Sequence, residues 1–120
     1  MTAPPALDPR VLESLRRLNH EGEPDVLTEV LGLFLADGPE RLEAIAGAVS
    51  AADGQALLRR AHALKGAAST IGASALAAAC RDLEEMGEKG EFAPADKALQ
   101  VMRREYARVE QVIAGLVRSQ

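Results

Sequence analysis

The chain is 120 residues long, carries a formal net charge of −4 and contains a single cysteine, Cys80. That length suits one domain with a core buried without metals or disulfides, and the lone thiol excludes an intramolecular disulfide and a cysteine-based zinc site. A hydrophobic content of 48% with only 2% aromatics favours helix over sheet, while the acidic balance and the absence of Trp argue against a nucleic-acid-binding surface.

The first residues, Met1-Thr2-Ala3-Pro4-Pro5, lack the basic and apolar regions of a signal peptide, and no apolar run reaches membrane-spanning length. The expectation is a disordered lead-in over residues 1–6, one helical domain over 7–118, and a cytoplasmic location. Asp8-Pro9 opens a helix, with Leu7 and Leu12 placed as a hydrophobic staple, and Val11, Leu15 and Leu18 carry its apolar stripe to about Asn19. A turn over His20 to Pro24 leads to a second helix reaching Ala36. Its apolar residues, Leu33 among them, are dense enough to be covered on more than one side.

Asp37-Gly38-Pro39-Glu40 reads as a stop followed by a capping box. A third helix then carries Leu42, Ile45, Val49 and Ala52 on one face, and Asp53-Gly54 ends it. The fourth spans about Gln55 to Ile71 with Gly72 as its stop, and the fifth, with Leu76, Ala79, Cys80 and Leu83 as its stripe, ends near Gly87. The last runs from about Pro94 to Arg118, with Leu99, Met102, Tyr106, Val109, Ile113 and Leu116 at alternating spacings of three and four. The pattern predicts an all-α fold: an antiparallel four-helix bundle with one or two additional N-terminal helices.

The fourth helix carries the chemistry. At 100° per residue, Ala61, Leu64, Ala68 and Ile71 fall within about 40° of Leu57, while His62 lies about 140° from that seam. Lys65 and Ser69 neighbour His62 along the helix, and Leu58 lies about 40° from it. Gly66, one turn on, costs about 1 kcal/mol relative to Ala, and local structure gives no return for it. A glycine below a histidine makes sense where another molecule must approach the ring. Lys65 is either an ordinary solvated cation or an ammonium placed to offset a phosphoryl group on the imidazole; Arg59 and Arg60 extend the basic patch. His20 reads as solvated, Cys80 as a small core residue, and two distant histidines give no metal site.

His62-Ala63-Leu64-Lys65-Gly66, continued by Ile71-Gly72-Ala73, Leu76, Cys80, Leu83-Glu84 and Gly87, resembles the signature of the histidine-containing phosphotransfer (HPt) domains of bacterial phosphorelays. Leu7-Asp8-Pro9 and the stretch from Phe34 to Leu42 resemble it too, so the likeness covers nearly the whole chain. It implies that His62 takes a phosphoryl group on Nε2 from the aspartyl phosphate of a receiver domain and passes it to another receiver. The receiver supplies Mg2+ and most catalytic groups, and this chain holds no cofactor. Such a protein is a phosphotransfer intermediate without a nucleotide site of its own.

Glu84 stands where the family places a polar residue, often Gln, that reaches the other ring nitrogen; the alternative is a surface carboxylate with no contact. Ala67 and Ala68 replace serines common in the family, which leaves Ser69 as the nearby hydroxyl. Leu58, Gly66, Ala67 and Ser69 are expected in the receiver-docking patch. A free-standing monomer served by a hybrid histidine kinase is the expected setting. Two alternatives stay open: the phosphoacceptor domain of a chemotaxis-type histidine kinase, and a bundle that binds receivers or kinases without accepting phosphate.

Overall fold

The computed structural model describes residues 5–22 and 24–118. Of the lead-in expected over residues 1–6, positions 1–4 lie outside the described residues, and Ala6 is buried. Five helices follow one another: α1 (Pro9–Arg16), α2 (Val26–Ser50), α3 (Gly54–Thr70), α4 (Ser74–Lys89) and α5 (Ala95–Arg118). No strand occurs among the described residues. Short connections over 51–53, 71–73 and 90–94 reverse the chain, so α2 to α5 form an antiparallel four-helix bundle. In it α3 lies between α2 and α4, and α5 closes against both α4 and α2.

The predicted stripes supply most of the core, but Leu18 and Ala52, expected on the stripes of the first and third helices, are exposed beyond the helix ends. Ile45, Leu57, Leu64, Leu83, Met102 and Ile113 are fully buried, each side chain contributing roughly 1.5–3 kcal/mol by leaving water. α1 is the single additional helix. The Asp8 carboxylate accepts from the Arg10 amide at 2.9 Å with Pro9 in the first turn, as its sequence predicts. The helix ends at Arg16, short of Asn19. Asn19 instead latches the following turn, its Oδ1 accepting from the Val26 amide at 2.8 Å and its side-chain amide donating to Asp25 at 2.8 Å.

The stop expected at residues 37–40 is absent: the second and third helices of the sequence reading are one helix, α2, with Pro39 inside it. Gly38 is buried because Tyr106 of α5 crosses the helix there, so closely that a Cβ on Gly38 would fall on the phenol. Phe34 stacks on the same ring at a centroid distance of 5.5 Å. Tertiary packing thus carries the helix through a dipeptide that locally favours a break. α2 is also less covered than expected, since Leu33 is 64% exposed.

Gly54 is the first residue of α3, not part of a stop, and α4 runs two residues past Gly87 to Lys89, where Gly90 adopts φ 68°. Gly72 does end α3, with φ 76°. Its carbonyl accepts from the Asp8 amide at 2.9 Å, and an added Cβ would sit 2.9 Å from the Val11 Cβ, so this glycine also seats α1 on the α3–α4 turn.

Candidate functional site

Leu57, Ala61, Leu64, Ala68 and Ile71 are each 1% exposed or less, so one face of α3 is fixed in the core. The opposite face carries His62, whose side chain is 69% exposed. Its Nδ1 lies 3.5 Å from Glu84 Oε2 on α4, and Lys65 Nζ lies 2.7 Å from Oε1 of the same carboxylate. Glu84 is therefore not the contact-free surface residue of the second reading: its side chain is only 13% exposed and joins both predicted residues of α3.

The Lys65 contact is an ion pair by distance but is not aligned as a hydrogen bond. Glu84 Oε1 is thus buried beside a charge with no donor aimed at it. Beneath them lies Cys80, fully buried, its thiol pushed up to about 12 by burial and by the Glu84 charge, with Lys65 acting against that rise. A carboxylate at Nδ1 favours the tautomer with the proton on Nδ1 and the lone pair on Nε2, the nitrogen turned away from α4.

The remaining predicted residues surround the ring unequally. Gly66 is exposed, and an added Cβ would meet nothing within 4 Å, so no contact among the described residues calls for a glycine there. Ser69 is exposed, whereas Ala67 and Leu58 are half-buried. Leu58 therefore lies lower than its angular position suggests, because α4 comes so near that a Cβ on Gly87 would sit 2.8 Å from the Leu58 amide nitrogen. Arg60 turns away from the site: its Nη1 donates to the Ala44 carbonyl of α2 at 2.8 Å.

Three features escaped the sequence reading. Arg60 is a structural tie, which only the position of α2 reveals. Leu33 of α2 is exposed at a cleft that also takes in Ala67 and Thr70 of α3 and Ile71 just after it. Gly54 and Gly87 bring α3 and α4 together beneath Glu84; a glycine at the edge of each helical pattern was the available signal. Among the described residues no three His, Cys, Asp or Glu side chains are grouped to hold a metal ion, and no helix is long and apolar enough to cross a membrane.

A helical bundle presenting one open imidazole beside an ammonium and a carboxylate has the form of a phosphocarrier. The Hpt domain family matches residues 29–112, and the chain belongs to that family. Histidine-containing phosphotransfer protein B (HptB) from Pseudomonas aeruginosa PAO1 is similar over 98% of this chain and 99% of its own, with 36% identity and a TM-score of 0.89. Histidine-containing phosphotransfer protein MtHPt2 from Medicago truncatula shares the fold, with a TM-score of 0.83 at 22% identity over 95% of this chain and 78% of its own. No curated protein sequence matches the chain. The protein is accordingly a phosphorelay histidine phosphocarrier, of a family that exchanges phosphoryl groups with receiver domains.

Proposed function

We propose that His62 is the phosphoacceptor and reacts through Nε2. The observation that carries this is the Glu84 carboxylate 3.5 Å from Nδ1 of a ring whose side chain is 69% exposed. With the proton held at Nδ1, the Nε2 lone pair faces the partner. A neutral imidazole with its lone pair on Nε2 is a competent nucleophile toward phosphorus.

In the forward step a bond forms between Nε2 and phosphorus as the bond from phosphorus to the aspartyl oxygen breaks. The aspartate leaves as carboxylate and the ring becomes an imidazolium that keeps its Nδ1 proton against Glu84. Return transfer reverses these changes, and no proton has to enter or leave the ring. Such transfer depends on alignment and on neutralising the equatorial oxygens. Lys65 contributes charge from one turn away, while Mg2+ and the remaining catalytic groups belong to the receiver.

Leu58, Gly66, Ala67 and Ser69 form the docking patch in this reading, extended by Leu33 across the cleft. Residues 7–118 act as one domain, a cytoplasmic monomer charged by a hybrid histidine kinase and lacking a nucleotide site of its own. Incubation with a phosphorylated receiver tests the assignment. Acid-labile, alkali-stable phosphate is expected on the wild-type chain and none on His62→Gln; equal labelling of the two overturns it.

A further inference from the structure

We propose that Arg59 is a second phosphoryl-contacting cation of this site, serving the edge of the imidazole that Lys65 does not. The proposal rests on His62 Nε2 as the acceptor. Three basic residues of α3 lie near His62, and the structure separates them. Arg60 is committed to α2 through its 2.8 Å hydrogen bond to the Ala44 carbonyl. Lys65 is committed to Glu84 at 2.7 Å, with its side chain 25% exposed. Because the other oxygen of that carboxylate faces Nδ1 at 3.5 Å, the ammonium is held on the Nδ1 edge of the ring.

Arg59 differs from both. It is exposed and has no hydrogen bond or ion pair among the described residues. At 100° per residue it lies about 60° from His62 around α3, with Lys65 about 60° away on the other side. Gly66 lies on the Arg59 side, about 40° from His62, and leaves open space there. Helical side chains lean over the turn N-terminal to their own Cα, so the imidazole leans toward the turn that carries Arg59, and the long Arg59 side chain reaches a group on the ring by swinging back along the helix.

On the helix surface the side of His62 away from Lys65 is thus shared by Arg59, which has no partner among the described residues, and the empty Gly66 position. A phosphoryl group bonded to Nε2 places three charged oxygens in that space. The planar fork of a guanidinium matches two such oxygens at once, which an ammonium does not. As the bond to Nε2 forms or breaks, Arg59 holds charge on the transferring group while Lys65 and Glu84 fix the ring from the opposite edge.

Phosphoramidate, a small phosphoryl donor, separates contact with the phosphoryl group from contact with a receiver. The full-length chain is labelled with it, and the acid-labile phosphate is followed in wild type, Arg59→Gln and Arg59→Lys, with Arg104→Gln on α5 as a remote control. Arg59→Gln is expected to label about ten- to hundredfold more slowly, the range for a lost hydrogen bond to a charged group. Arg59→Lys should recover part of the rate and Arg104→Gln should match wild type, with unchanged melting curves throughout. Wild-type labelling of Arg59→Gln by phosphoramidate overturns the proposal, and does so even where transfer from a receiver slows, because Arg59 then only docks the partner. His62→Gln is run in parallel; its labelling at the wild-type rate refutes the acceptor assignment instead.

Discussion

Gly54 and Gly87 bring the backbones of α3 and α4 into contact: a Cβ on Gly54 would lie 2.5 Å from the Gly87 carbonyl oxygen, and one on Gly87 2.6 Å from that of Gly54. This crossing sets the distance between the helix that carries His62 and the helix that carries Glu84. Glu84 is three residues before Gly87, nearly one turn along α4, so the glycine pair holds the carboxylate within reach of the ring.

Gly87→Ala is therefore expected to cost stability and site geometry together. The atoms in its way are backbone, which cannot swing aside, and overpacking of that kind costs roughly 1–3 kcal/mol. Urea unfolding measures the loss. Gly32→Ala, on α2 where a Cβ meets nothing within 4 Å, serves as the control and should gain about 0.5–1 kcal/mol. Equal stability of the two variants would show that the helices part without cost.

Gly66→Ala should dissociate stability from function. The new methyl has open space and favours helix by about 1 kcal/mol, so the urea midpoint is expected to rise. If the receiver docks over Gly66 as proposed, transfer from a phosphorylated receiver is expected to slow, because the methyl then fills space that the partner needs beside the imidazole. Unchanged transfer kinetics would mean that no partner atom comes so near.

The different fates of these glycines show what the sequence reveals and what it hides. Gly66 stands out because the stripe around it fixes which face it lies on, and that face is solvent. Gly38, Gly54 and Gly87 carry the same local signal, a glycine within or beside a helical pattern, yet each lies where another helix crosses. Locally they read as stops, and only the partner helix shows that they are contacts. The same reason made Glu84 ambiguous: periodicity places it on the flank of α4, but the register of α4 against α3 is a property of two helices. His62, Lys65 and the core stripe needed only one.

Glu84→Gln and Glu84→Leu separate the tautomer from the charge. Gln keeps an acceptor for Nδ1, so two-bond 1H–15N spectra of the neutral ring should retain the proton there. Leu removes it and should move the population toward Nε2–H, slowing transfer by about tenfold, as expected where roughly 1.4 kcal/mol of positioning is lost. An identical tautomer ratio in all three proteins would remove Glu84 from the mechanism.

Burial gives Cys80 a pH signature. Its thiol is pushed from an ordinary value of 9.0 to about 12 in the folded chain, mainly by desolvation and further by the Glu84 charge. Between those values the unfolded chain has released a proton that the native chain retains, so stability falls as pH rises from about 9 toward 12. Tyr106, also raised by burial, acts in the same direction. The difference between wild type and Cys80→Ala isolates the thiol. Urea unfolding at pH 8 and pH 10.5 should show wild type losing on the order of 1–2 kcal/mol more than the variant, and parallel losses would contradict the burial.

Gly38 and Pro39 should respond in opposite directions. Pro39 is exposed and can give the Leu35 carbonyl no helical hydrogen bond, so Pro39→Ala restores a donor inside α2 and is expected to gain roughly 1–3 kcal/mol. Gly38→Ala puts a methyl where the Tyr106 phenol lies and disturbs the ring that stacks on Phe34 at 5.5 Å, a loss of roughly 1–3 kcal/mol. The Tyr106 hydroxyl is buried without a hydrogen-bond partner among the described residues, so Tyr106→Phe alone should cost little. Added to Gly38→Ala it removes the hydroxyl but leaves the ring, and a double-mutant cycle should show partial recovery. Full additivity would mean that the phenol and Gly38 do not touch, and that α2 passes through this dipeptide unbroken for some other reason.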